Sequence, residues 1–326
     1  MRVKPLRLTD QFIHLKMKIL SNGIIRRRLC SPITRMKIQN FSSNSSLSSS
    51  LVTFTHDPET KIGTIAMSSP VKHNPLTVEL GLQFKRTIQS INSSISDNRL
   101  HINSIVLHGA NSTFSAGGDM KWLRDLKNNP VHINADIMME FYKSFLCIRD
   151  LPVPVIAAID GYAIGAGACL AIATDMRIMS ASAKIGFNFV KLGIHSGMGG
   201  SHFLPLAVGE SRAKDILLTG RVLTGIEAGE MGVAHRVIDK SGPDLLEEAN
   251  NLAIEIGDKH PLAVRSMVQT LRMRENAYCG GIEAALRREA LAQALCYAKS
   301  DWGEGLDAIV EKRQPNFDDY QVDDWI

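Results

Sequence analysis

Cysteine is scarce in this chain. Its five residues (Cys30, Cys147, Cys169, Cys279 and Cys296) are odd in number, widely scattered and in no CxxC or zinc-type Cys/His spacing. That excludes a disulfide framework and an ordinary zinc site, and no other metal is expected. It fits a reducing compartment in which thiols act as small core residues. Long apolar runs are missing too: between Asp160 and Asp175 the uncharged stretch is 14 residues, short of the ~20 that a membrane helix requires. No Gly-Lys-Ser/Thr occurs, so a P-loop is excluded. Gly165-Ala166-Gly167 opens like a dinucleotide fingerprint. Leu170 stands at the third glycine, however, and no acid ends a second strand about 20 residues on. Carboxylates are absent from the whole stretch between Asp175 and Glu210.

Acids are almost missing from the N-terminus as well. Residues 1–50 hold ten Lys or Arg and one acid, Asp10, and they end in a stretch with seven serines among residues 42–50. This is the composition of a mitochondrial transit peptide, which would place the protein in the matrix. A basic tail with no targeting role and a chloroplast signal are the alternatives. A secretory signal lacks its apolar core here. The body carries 27 bases against 32 acids, which argues against a nucleic-acid partner.

With 44% apolar and 21% charged residues, the body has ordinary globular composition, sufficient for one large domain. Residues 51–67 read as a hairpin around Asp57-Pro58. A helix is expected over 77–95 from Val78, Leu80, Leu82, Phe84, Ile88 and Ile91. Strands follow at 102–109, 153–161, 176–180 and 183–187, with a helix at 135–151 and a loop at 191–203. Beyond Gly209 the chain reads as helices at 210–219, 225–231, 243–258, 261–275, 280–299 and 303–313. The expected class is α/β, divided into a leader (1–50), a core (51–255) and a helical C-terminal region (256–326) that packs on its own body or on a neighbouring subunit.

Two segments share one design. "FSAGGDMKWL" (114–123) follows a strand, and so does "GYAIGAGACLAIA" (161–173). In each, small residues give way to a helix, whose first N–H groups point outward at the positive end of its dipole. Two such turns brought together could donate two hydrogen bonds to one developing oxyanion. Alternatively, the glycines only permit tight turns and close packing.

These segments, with "HNPLT", "AKIGFNFVKLGIHSGMGGSHFLPLAVG", "AKDILLTGRVLTGIEAGEMGVAHRVID" and "GLDAIVEKRQPNF" in that order, resemble the crotonase (enoyl-CoA hydratase/isomerase) superfamily over residues 52–317. The resemblance implies a ββα spiral with a C-terminal helical trimerisation region, assembled as a homotrimer or homohexamer. It implies an acyl-CoA thioester as substrate, with coenzyme A entering as part of it and no permanently bound cofactor. The oxyanion donors would be the N–H groups of Gly118 and Ala166. Lys72, Asn74, Gly118, Asp119, Met120, Lys121 and Lys312 would meet the CoA portion, where ammonium groups suit phosphate.

The departures from that pattern bear on the reaction. The two glutamates with which hydratases of the family deliver water fall on Cys169 and Phe189. An acid that some isomerases and dehalogenases use falls on Gly197. Ordinary hydration is therefore not expected, and isomerisation, decarboxylation or thioester hydrolysis remain open. Cys169 and His195 are the remaining candidates for proton handling, each with a purely structural alternative. A non-catalytic acyl-CoA-binding or scaffold member is the alternative reading of the whole chain.

Overall fold

"VIAAI" (β4, Val155–Ile159) has every residue buried, as a parallel strand covered on both faces must. Its neighbours follow the same logic in the computed structural model, which describes residues 50–317 except Pro70 and Lys72. β1 (Val52–Asp57) and β2 (Ile62–Met67) form the expected antiparallel hairpin. β2, β3 (Ser104–Gly109), β4, β6 (Met176–Ser180) and β9 (Arg236–Ile238) then run parallel in the order β1-β2-β3-β4-β6-β9. The two-residue period divides the core. Ile105, Leu107, Val155, Ala157 and Ile159 face the main cluster, whereas Val106, Ile156 and Ala158 face a second one. That second cluster is closed by Leu245, Ala249, Leu252 and Ala253 of a long helix at Pro243–Gly257.

A smaller sheet runs alongside: β5 (Tyr162–Ile164), β7 (Lys184–Gly186) and β8 (Val222–Thr224). Parallel bridges Leu76↔Gly118 and Ser115↔Ala163 continue it toward the N-terminus. Successive passes of the chain thus give one strand to the large sheet and a short one to the small sheet. A helix follows after Leu76, Gly118 and Ile164: α1 (Val78–Ser96), α2 (Met120–Asp125) and α4 (Ala166–Ile172). This is the expected spiral of ββα units. α3 (Val131–Leu146) lies between the second and third passes.

After β7 come α5 (Gly200–Val208), α6 (Glu210–Thr219), β8, α7 (Gly225–Met231), β9 and α8, the Pro243–Gly257 helix. The end of the described chain is α9 (Pro261–Ala277), α10 (Ile282–Tyr297) and α11 (Ser300–Glu311). α10 packs along α3, and all the described residues belong to one compact unit. The division drawn at residue 255 therefore falls inside α8. Residues 1–49 of the leader (1–50), and with them nearly all of the expected targeting segment, lie outside the described residues.

Two expectations change. In α1 only Leu80, Gly81, Phe84, Ile88 and Ile91 are buried, while Val78 and Leu82 are about half exposed. The stripe is set by i, i+4, i+8 and i+11, and the other two apolar residues lie off it. The expected loop 191–203 is helical from Gly200. Its glycines hid a helix whose N-terminus is capped by a carboxylate from a distant part of the chain, Glu289 on α10.

Candidate active site

The two glycine turns meet. Ser115 N–H donates to Tyr162 O at 2.7 Å, and Ile164 N–H returns a bond to Ser115 O at 2.9 Å. Gly117 has φ +100°, and a Cβ there would lie 2.7 Å from Ile164 O and 3.7 Å from Ala166 N. Only glycine lets the backbones approach this closely. A side chain at Gly167 would strike Ser115 O at 2.6 Å.

Hydrogen bonding divides the N–H groups of the turns into committed ones and free ones. Among the described residues the free ones include the first-turn groups of Met120, Lys121, Gly167 and Ala168 as well as those of Gly118 and Ala166. Across the turns, the N–H groups of Ala116, Gly117, Asp119, Ile164 and Gly165 all donate, to His73 O, Ser115 Oγ, Leu76 O, Ser115 O and Gly186 O. The N–H groups of Gly118 and Ala166 donate to nothing among the described residues. Both residues border a cavity of about 280 Å³. Ala166 opens α4, where a free N–H is expected, and a free helix-end donor facing a cavity is available to a ligand's acceptor.

The rest of that wall is apolar: Leu123 and Met120 from α2, Met138 and Phe141 from α3, Leu192, Ile194 and Met198 from the loop before α5, and Ile309 from α11. Its side-chain polar groups are Asn188, Tyr142, Gln293 and Tyr297, and Phe189, where the family resemblance implied a glutamate's place, borders it too. No Asp, Glu, His, Lys, Arg or Cys borders the cavity among the described residues. Burial pushes the phenols of both Tyr142 and Tyr297 well above the ordinary tyrosine range, so both stay protonated.

Cys169 and His195 are not brought to this wall. Cys169 is fully buried on α4, near Ser196 and Gly200. Burial first, and then the nearby Glu289 carboxylate, raise its thiol far above the usual value, which leaves it an inert core residue. His195 is half-buried, with Nδ1 at 2.6 Å from Ser196 O, and only its carbonyl is tied to a cavity residue, accepting from Gln293 Nε2 at 2.7 Å. No hydrogen bond joins the two side chains among the described residues.

The expected CoA contacts also divide. Gly118 and Met120 border the cavity. Asn74 is buried with its side chain committed to the fold: Oδ1 accepts from Ser69 N–H, and Nδ2 donates to Met67 O and Phe114 O. It staples the 67–76 loop to the first glycine turn. Asp119 caps α2 by accepting from Trp122 N–H at 2.7 Å, which fixes Gly118 just before it. Lys121 and Lys312 are exposed, on α2 and at the end of α11. Arg124 and Asp307 pair at 2.7 Å and join these two helices beside the cavity. Lys72 lies outside the described residues.

Behind the wall, Glu289 accepts from Gly199 N–H at 2.6 Å, Ser201 N–H at 2.9 Å and Ser201 Oγ–H at 2.5 Å. It thereby caps α5 and fixes the turn carrying Gly197 and Met198. Burial raises its carboxyl from 4.5 to about 7, although the three donors pull the other way. The folded chain therefore binds the proton more tightly than the unfolded one, and stability falls as pH rises from about 4.5 to about 7. The melting temperature of the wild-type chain relative to that of Glu289→Gln should decline across that window, because the variant lacks this one contribution while every other titrating group is shared.

Comparison with known proteins shows the family. The enoyl-CoA hydratase/isomerase family profile matches residues 57–321. The chain belongs to the enoyl-CoA hydratase/isomerase family. A crotonyl-CoA hydratase of Syntrophomonas wolfei is 32% identical over 265 residues, covering 80% of this chain and 96% of that protein. A relative from Arabidopsis thaliana whose name places it among mitochondrial enoyl-CoA hydratases is 31% identical over 255 residues, 77% of this chain and 79% of its own. The crystal structure of an enoyl-CoA hydratase/isomerase from Pseudoalteromonas atlantica superposes with a TM-score of 0.66 at 26% identity, covering 82% of this chain and all of that one. Within this enoyl-CoA hydratase/isomerase fold, the missing carboxylates are a property of the assembled cavity as well as of the sequence.

Sequence reasoning missed Tyr142, Gln293 and Tyr297. A signal was present: Glu289, Gln293 and Tyr297 are four residues apart on α10 and all buried. A polar stripe on the buried face of a helix marks a site or a network.

Proposed function

We propose that this chain binds an acyl-CoA thioester with its carbonyl oxygen on the N–H groups of Gly118 and Ala166, and that it decarboxylates an acyl group carrying a carboxylate on its α-carbon. One observation carries this reading: among the described residues the cavity offers the unpaired N–H groups of Gly118 and Ala166 at its two glycine turns, and no carboxylate or imidazole. Hydration and double-bond migration need a general base to move a proton. Hydrolysis needs an activated water. Decarboxylation generates the enolate by breaking a carbon–carbon bond, so its chief requirement is a place for the developing negative oxygen. The apolar wall assists, because a desolvated substrate carboxylate is relieved of its charge as CO2 leaves.

The test is a substrate panel assayed with the purified full-length chain. CO2 release from malonyl-CoA or methylmalonyl-CoA, with no hydration of crotonyl-CoA, is expected. Hydration of crotonyl-CoA would overturn the reading. Tight acyl-CoA binding with no turnover on any thioester would leave the non-catalytic binder. The basic, acid-poor residues 1–50 support import into mitochondria. Leu262, Met267, Leu271 and Met273 on α9 are all exposed, which supports assembly with further copies as a trimer or hexamer.

A further inference from the structure

A decarboxylase must also return a proton to the α-carbon, and two phenols, Tyr142 and Tyr297, border the cavity. A Cβ built on Gly197 would lie 2.5 Å from Tyr142 Oη and 2.7 Å from Gln293 Nε2. The phenol of α3 and the amide of α10 therefore occupy the space into which a side chain at position 197 would project. The polar group that this loop lacks is supplied by two helices that pack behind it.

We propose that Tyr142, braced by Gln293, is the catalytic proton donor to the α-carbon of the enolate. This rests on the decarboxylation reading above. Tyr142 Oη–H donates to Gln293 Oε1 at 2.7 Å. It can turn to a ligand without stranding that oxygen, because Tyr297 Oη–H also donates to it at 3.1 Å. Gln293 itself stays fixed, since its Nε2 donates to His195 O at 2.7 Å. Burial keeps the phenol protonated and ready to donate, and a thioester enolate carbon is a far stronger base than a phenolate.

The step balances as follows. The electron pair left by CO2 resides on the enolate. It forms the new Cα–H bond with the phenol proton, the phenol O–H bond breaks, and the phenolate regains a proton from solvent water when product leaves.

The experiment is turnover of methylmalonyl-CoA in D2O with the full-length chain, reading the configuration of deuterium in the propionyl-CoA formed. The wild-type chain should label one face. Tyr142→Phe should turn over more slowly, because the enolate loses its proton donor, and the propionyl-CoA that it does form should be an equal mixture of both configurations. Single-face labelling by Tyr142→Phe would overturn the proposal. If the wild-type chain releases no CO2, the decarboxylation reading falls. The proton-donor proposal falls with it, whereas CO2 release by the wild-type chain with both configurations labelled equally would reject the phenol alone and leave the decarboxylation reading standing. Melting curves and acyl-CoA affinity check that the variant is folded. Should it fail to fold, Gln293→Leu carries the test, since an unbraced phenol is expected to scramble the label.

Discussion

Ala166→Pro should reduce kcat by about 10²–10³ while leaving the protein folded, because it deletes one backbone donor of the pair that receives the thioester oxygen. The substitution suits its position. Ala166 is the first residue of α4, where proline is well tolerated and the N–H has no intrahelical partner to lose. The preceding residue, Gly165, has φ +54° and ψ −120°, an extended mirror conformation open to glycine, so the restriction that proline places on its predecessor is met. The lost donor acts chiefly on charge that develops in the transition state, so kcat should fall far more than KM rises. Steady-state kinetics on the thioester that proves to be turned over, with a melting curve beside them, decides the matter. Unchanged kcat in a folded variant would remove Ala166 from the oxyanion site.

The turns that make this prediction possible were legible because backbone function leaves a mark in composition. Gly117, Gly165 and Gly167 sit where a Cβ or a negative φ is forbidden, and glycines in such runs are readable without coordinates. The parallel strands were legible for a similar reason, since burial on both faces leaves nothing but apolar residues in "VPVIAAI". Cys169 and His195 misled because a sequence position says which element carries a residue, not which side of that element meets the cavity. α4 turns Cys169 into the core beneath Gly200, while the cavity is closed by residues over 100 positions away on α10 and α11. Gln293 and Ile309 looked like parts of ordinary amphipathic helices, because their role exists only once those helices dock on α3 and α2. The start of α5 was hidden in the same way: a helix that begins Gly199-Gly200 depends on Glu289 for its cap.

Arg272→Ala should be the most destabilising single truncation on α9, costing about 3–5 kcal/mol, the loss typical when one partner of a buried ion pair is removed. Arg272 and Asp175 are both largely buried and meet in a bidentate pair, Nε to Oδ1 at 2.8 Å and Nη2 to Oδ2 at 2.5 Å. The guanidinium also donates to the carbonyls of Arg149, Leu151 and Val153, and Asp175 Oδ2 accepts from Val155 N–H at 2.7 Å. Truncation would strand a carboxylate and three carbonyls at the entrance to β4. A drop in melting temperature of roughly 10 °C is expected. Asp175→Asn should cost less, since its remaining carbonyl still accepts from Arg272 or Val155. An apolar exchange of both residues should not restore stability as it does for isolated buried pairs, because the backbone groups that the pair satisfies would remain unpaired. Equal melting temperatures for Arg272→Ala and the wild-type chain would show that α9 is held by its packing alone. The hydrogen-bond pattern argues otherwise: this one arginine fixes α9 to the segment that feeds β4, whose far end leads through Asp160 and β5 to Ala166.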